Sequence, residues 1–256
     1  MSSPLPDSPP GNTPGPPNAG AFDAEDARRL ASAVARARTA LGSGPPLPSG
    51  PPPPSGRLTA GNCDFAHCGL LLFPSGLDAA VRHLTNQGLA PSPPVPSVVV
   101  RRRLGDRYGV AAADCEVWIT RLHLTAEGRT DAAPAVEVFL FPRTAPALDR
   151  RIVERERLRG FENHTALQVR RPTRPLVEEL FDAWCGDGGL LWEGGGYSPH
   201  EGRGGSTVLY FVRDQEPRPA ALERWELNCP GDFRPFLADR PVDTAAVARA
   251  YRLPGA

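Results

Sequence analysis

Two stretches of this chain follow the same script. The first opens with a strand-like run, NCDFAHCGLLLF (62–73), then Pro74-Ser75 and a helix-like LDAAVRHLTNQG. Leu77, Val81 and Leu84 share one face of that helix, and Gly88 stops it. The second opens with NHTALQVR (163–170), then Pro172-Thr173 and PLVEELFDAWCG, with Leu176, Leu180, Phe181 and Trp184 apolar and Gly186 as the stop. Ser75 and Thr173 suit helix N-caps, and glycine suits the position just past a C-terminus. The offsets agree: His67 to Gly88 is 21 residues, and His164 to Gly186 is 22. Three strand candidates follow each helix. They are SVVVRRRL (97–104), CEVWITRLHL (115–124) and AVEVFLFP (135–142) in one half, and GLLWEGG (189–195), STVLYFVR (206–213) and RWELNCP (224–230) in the other. Each half reads β-α-β-β-β. One such unit leaves a sheet face bare, and two paired units cover it. The expectation is an α+β protein of two paired modules.

The rest of the chain frames this repeat. Of 31 prolines, 14 fall in the first 54 residues. The tracts 1–20 and 42–58 cannot bury enough apolar surface to order themselves. Between them, 23–41 reads as a helix whose thin stripe of Leu30, Val34 and Leu41 either docks on the body or fluctuates. The expected organisation is a Pro-rich arm (1–58), a first module (59–143), a partly helical linker (144–162), a second module (163–230) and a tail with a short helix (231–256). Formal charge is zero, with 29 basic and 29 acidic residues, which argues against a nucleic-acid partner. No apolar run is long enough for a membrane span, and the N-terminus does not read as a secretory signal. Five scattered cysteines, an odd number, fit reduced thiols and a cytoplasmic location better than a disulfide framework. All basic residues are Arg and none is Lys, which with abundant Ala, Gly and Pro reads as high-G+C bacterial codon usage.

Four polar residues occupy equivalent points of the repeat: His67 and His164 in the first strands, Glu137 and Glu226 in the last. Period-2 alternation assigns their faces. Val136, Val138 and Leu140 share one face, with Glu137 and Phe139 on the other. Trp225, Leu227 and Cys229 oppose Arg224, Glu226 and Asn228, and Thr165, Leu167 and Val169 oppose His164. Each strand thus has an apolar face for helices to cover. The His or Glu projects from the opposite face, where burial without a partner costs several kcal/mol. A single divalent cation would supply that partner for all four at once.

Two β-α-β-β-β modules, each with His near the start and Glu near the end, resemble the vicinal oxygen chelate superfamily. That superfamily includes glyoxalase I, methylmalonyl-CoA epimerase, extradiol dioxygenases and the bleomycin and fosfomycin resistance proteins. The resemblance spans about 60–230. It implies a curved sheet around a metal and substrate cavity, closed within one chain or across a homodimer, and an enzyme acting on a small molecule with vicinal oxygens. Glyoxalase-type members imply His67, Glu137, His164 and Glu226 as ligands of Fe(II), Ni, Co, Mn or Zn. They also imply isomerase, epimerase or lyase chemistry through a metal-stabilised enolate, with Glu137 or Glu226 as base. Dioxygenase-type members imply a three-ligand Fe(II) site of His67, His164 and Glu226. There His200…Leu209-Tyr210-Phe211…Glu226 is similar to the extradiol signature, with His200 as acid/base and Tyr210 at the substrate. RDQEPRPAALE stands where that family has a shorter turn. Resistance-type members imply binding without turnover, but they often lack the ligand set kept here.

Plainer roles fit other residues. His83 reads as a surface residue of its helix, and His123 as structural. Cys63 and Cys68 are five apart and read as small core residues. Arg101, Arg102 and Arg103, taken on a strand, read as a solvated edge, although an inward one could meet an anionic substrate. The glycines of 186–189 and 193–205 lack the context and the lysine of a phosphate loop and read as a loop over the cavity carrying Tyr197 and His200. PPPP at 51–54 reads as a spacer.

Overall fold

The computed structural model describes residues 20–48, 54–125, 133–186, 188–200, 204–214 and 221–252. Among these, the first half contributes β1 (Cys63–Leu72), α3 (Leu77–Asn86), β2 (Val95–Pro96), α4 (Val98–Tyr108), β3 (Trp118–Leu124) and β4 (Ala133–Leu140). The second contributes β5 (His164–Val169), α6 (Arg174–Cys185), β6 (Leu190–Ser198), β7 (Ser206–Arg213) and β8 (Arg224–Pro230). Helices α1 (Ala24–Ser43) and α2 (Pro54–Asn62) precede them, α5 (Arg150–Arg159) joins them, and α7 (Arg234–Ala238) and α8 (Thr244–Ala250) follow.

The strands form a single curved, unclosed sheet in the order β2-β3-β4-β1-β5-β8-β7-β6. The order is symmetric about its centre. In each half the first strand runs parallel to the last, β1 to β4 and β5 to β8, and antiparallel strands extend outward. The halves meet where β1 pairs antiparallel with β5, so the join lies within the chain and sets Gly69 opposite His164.

Helices α1, α3 and α6 cover one face of this sheet, and α4 and α5 pack against part of the other. Over the first half, Leu30, Ala33, Val34 and Ala37 of α1 and Ala80 and Leu84 of α3 pack on Cys68, Leu70, Val136 and Val138. Over the second, Val177, Leu180, Phe181 and Trp184 of α6 pack on Leu167, Leu209, Phe211 and Leu227. Both α3 and α6 lie where the repeat placed them. Thr173 accepts from Leu176 N as expected of an N-cap, whereas the α3 cap is Gly76 rather than Ser75.

Helix α1 docks rather than fluctuates. Its cap Asp23 accepts from Asp26 N, and Asp26 is fully buried. Asp26 accepts from Phe73 N at 3.0 Å and from Arg157 of α5 at 2.7 Å. Helix α1, taken as part of the arm, therefore belongs to the core. The Pro-rich tract also gives way to helix α2 at Pro54, and Thr59 on α2 accepts from Trp184 Nε1 of α6 at 2.9 Å. Residues 1–19 and 49–53, including most of PPPP, lie outside the described residues.

The stretch 97–104 is helical, not a strand. Three consecutive valines read as extended, but Ser97 caps a helix by accepting from Val100 N, and Gly109 ends it at φ 67°. Val100, Leu104 and Tyr108, four apart, form its buried face. The corresponding strand shrinks to Val95–Pro96, since Pro93, Pro94 and Pro96 cannot donate to a ladder. Helix α4 then packs with α5 against Leu71, Phe73 and Phe139.

Candidate metal centre

A bulge decides what β1 presents. Its register with β5 shifts between Phe65 and His67. Upstream, Cys63 and Phe65 pack with the helix-side clusters; downstream, Cys68, Leu70 and Leu72 do. The extra residue reverses the alternation, so His67 and Gly69 turn to the concave face. Beside them stand His164 on β5, Glu137 on β4 and Glu226 on β8. Strand pairing brings together four residues that lie up to 159 positions apart along the chain (226 minus 67).

The four meet. His67 Nε2 lies 3.1 Å from His164 Nε2, 3.5 Å from Glu137 Oε2 and 4.0 Å from Glu226 Oε1. His164 Nε2 lies 3.8 Å from Glu226 Oε2. The imidazoles stand edge to face at 5.2 Å between centroids. All four side chains are at least 87 % withdrawn from solvent, at exposures of 13, 12, 6 and 9 % for His67, Glu137, His164 and Glu226. His67, Glu137 and His164 each offer an atom within 4.8 Å of the others, a group that could hold a metal ion.

Neighbours orient two of the four side chains. His164 Nδ1–H donates to the Glu162 carbonyl at 2.9 Å, which leaves the Nε2 lone pair aimed into the site. Burial, the nearby His67 and the Arg224 cation push His164 down to about 3, so it stays neutral. Glu137 divides its oxygens: Oε1 accepts from Arg121 Nε at 2.8 Å and Oε2 faces His67. Burial works against the charged carboxylate, but His67, His164 and Arg121 together hold its pKa below the usual range. Arg121 is its register partner on β3. The donor set suits a borderline divalent cation. Two nitrogens bound at right angles to one ion at ~2.1 Å sit about 3.0 Å apart, close to the distance found.

Gly69 makes room for this arrangement. A Cβ there would come within 2.5 Å of His164 Nδ1 and 2.6 Å of Nε2, and closer still to Cε1. Spacing did not mark this glycine, although an isolated glycine in a strand signals close approach.

The four line a cavity of about 790 Å³. From the first half, Val99, Ile119 and Phe139 give it an apolar strip beside the polar Arg103 and Arg121; the second half adds Gln168, Tyr210, Arg224 and Asn228. Tyr210 stands in register with Glu226 and faces inward. Burial and the Glu226 charge push its phenol up to about 12. His200 sits in an exposed turn at the cavity edge. Tyr197 is on strand β6, not a loop, and its hydroxyl donates to Gly204 O at 3.2 Å. Arg103, on a helix rather than a strand, also lines the cavity. His83 is half-buried and meets Phe22 edge to face at 5.3 Å, so it is not simply a surface residue. His123 is half-buried on β3.

Behind the site lies a buried charge network. Arg107 reaches Glu156 at 2.7 Å and Glu162 at 2.9 Å, Tyr108 donates to Glu156 at 2.8 Å, and Arg224 pairs with Glu193 at 2.7 Å. Glu162 thus steadies His164 through its carbonyl while Arg107 grips its carboxylate.

No family model matches the chain, and neither a curated protein nor a solved structure does. Among the described residues, no helix is long and apolar enough to cross a membrane.

Proposed function

We propose that this chain is a divalent-metal-dependent enzyme of the vicinal oxygen chelate type, acting on a small molecule with two neighbouring oxygens by isomerase, epimerase or lyase chemistry. The observation that carries the reading is the convergence of His67, Glu137, His164 and Glu226, two from each half, at one point inside a large cavity. The symmetric strand order supports it, with the first and last strands of both halves at the centre of the sheet. His164 supplies a neutral nitrogen, His67 a second imidazole nitrogen, and Glu137 and Glu226 supply carboxylate oxygens. A bound divalent ion would act as a Lewis acid on the two substrate oxygens. Glu137, tied through one oxygen to Arg121, suits a fixed ligand. Glu226 lies within 4.0 Å of both imidazole nitrogens and is the base that takes the substrate α-proton and returns it.

A second reading draws on the same ion pair. If Arg121 retains Glu137, then His67, His164 and Glu226 remain, the three-ligand set of an Fe(II) dioxygenase, with Tyr210 beside Glu226. Elemental analysis of the purified protein, with oxygen uptake and anaerobic turnover measured on vicinal-oxygen substrates, separates the two. Nickel, cobalt or zinc near one per chain with anaerobic turnover supports the first reading. Iron with oxygen-dependent turnover supports the second. A metal-free protein that binds a small molecule unaltered by Glu226→Gln refutes both and leaves a non-catalytic binder.

A further inference from the structure

Beside the His and Glu cluster the cavity holds a cationic corner that the cluster itself does not use. Arg103 of α4 and Arg224 of β8 stand over the Tyr210 ring, their guanidinium carbons 5.1 and 4.9 Å from its centroid. Arg103 is 25 % exposed, toward the cavity it lines, and makes one long hydrogen bond, 3.4 Å to Glu162. A guanidinium has five N–H donors, so most of those on Arg103 remain to be satisfied. The Nη2 of Arg224 is buried and has no hydrogen-bond partner among the described residues. Arg224 as a whole is 3 % exposed, and an unmatched charged donor at such depth is costly. The Tyr210 hydroxyl also lacks a hydrogen-bond partner among the described residues. Two guanidiniums and a phenol therefore converge on one corner with more N–H and O–H donors than their neighbouring carboxylates take up.

We infer that the cavity receives an organic oxyanion, its carboxylate or phosphoryl group bound by Arg103 and Tyr210 with Arg224 behind them. The inference rests on the proposed enzymatic reading only for the other end of the molecule, where vicinal oxygens would reach the His and Glu cluster. Between the two ends, the apolar strip of Val99, Ile119 and Phe139 suits a short carbon body. Arg and Tyr are chemically apt for this role: guanidinium binds either oxyanion in a fork, and the phenol adds a directed donor.

The test uses the full chain, metal-free and zinc-loaded, titrated calorimetrically with inorganic phosphate and, separately, with benzoate. Whichever binds names the acidic group. Saturable binding that weakens at least about tenfold in both Tyr210→Phe and Arg103→Gln, with zinc affinity unchanged in each, is the expected result. Tyr210→Phe keeps the ring between the two guanidiniums, so it reports on the hydroxyl alone even if Arg103→Gln folds poorly. Binding seen only with zinc and insensitive to both substitutions places the anion at the metal and overturns the inference. Absence of saturable binding by either probe, with zinc uptake intact, overturns it while leaving the metal reading standing. Failed zinc uptake with substitution-sensitive anion binding does the reverse.

Discussion

Gly69→Ala adds a single methyl group to a strand buried at the centre of the sheet, and its consequence follows from distances. The new Cβ would sit 2.5 Å from His164 Nδ1 and 2.6 Å from Nε2, whereas ordinary contact begins near 3.4 Å. To clear Cε1, the nearest atom, the imidazole must retreat by more than about 1 Å, over half the length of a metal–nitrogen bond. It cannot retreat freely, because Nδ1–H is committed to the Glu162 carbonyl and the ring stands 6.2 Å from that of Phe139 and 5.2 Å from that of His67. A misplacement of that size costs on the order of 10²-fold, so metal affinity should fall about 100-fold, equivalent to ~2.7 kcal/mol. Overpacking should lower stability by about 1–3 kcal/mol. The assay is competition for zinc against a chromogenic chelator, with thermal denaturation of the metal-free protein alongside. Gly196→Ala is the matched control, also on a strand: the residue is exposed, nothing lies within 4 Å of a Cβ there and its φ is not in the left-handed region, so both readouts should stay near wild type. Wild-type zinc affinity in Gly69→Ala would show that His164 is not where the metal binds.

Three further outcomes follow from the structure. Asp26→Ala strands Arg157 and the Phe73 N–H and should cost about 3–5 kcal/mol in urea denaturation, against ~0.5 kcal/mol or less for exposed Glu25→Ala. Equal small losses would mean that α1 is not held by its buried ion pair. Burial, with Glu162 nearby, pushes Glu156 up to about 7 despite Arg107, so the folded state holds its proton more tightly than the unfolded state does. Wild-type stability minus that of Glu156→Gln should therefore fall as pH rises from about 4.5 to 7 and level off above, as measured by denaturation at each pH; a rising difference contradicts the assignment. Burial pushes the thiols of Cys63 and Cys229 up to about 12 and Cys68 up to about 11, so iodoacetamide at pH 8 should leave them unmodified until the chain unfolds, as mass spectrometry would show.

The four candidate ligands were legible because the repeat placed His and Glu at equivalent offsets and strand alternation turned them away from the apolar faces. Arg224, Glu226 and Asn228 do share the cavity side of β8, and Glu137 and Phe139 that of β4. Local pattern alone did not reveal what depends on tertiary pairing. The bulge before His67, the opposition of Gly69 and His164, and the registry of Arg121 with Glu137 all arise between strands distant in sequence. The Val98–Val100 run favoured a strand by its β-branching, yet a serine cap and the four-residue spacing of Val100, Leu104 and Tyr108 prevailed. Helix α1 carried too thin an apolar stripe to announce docking, because its anchor is the ion pair of Asp26 with Arg157, 131 residues away.

Crystals grown or soaked with nickel and measured at its absorption edge test the central claim most directly. The account predicts one anomalous peak about 2.1 Å from both His67 Nε2 and His164 Nε2, with carboxylate oxygens of Glu137 and Glu226 completing the shell. A fully soaked crystal with no peak between those four side chains, or with nickel held elsewhere on the chain, would contradict it.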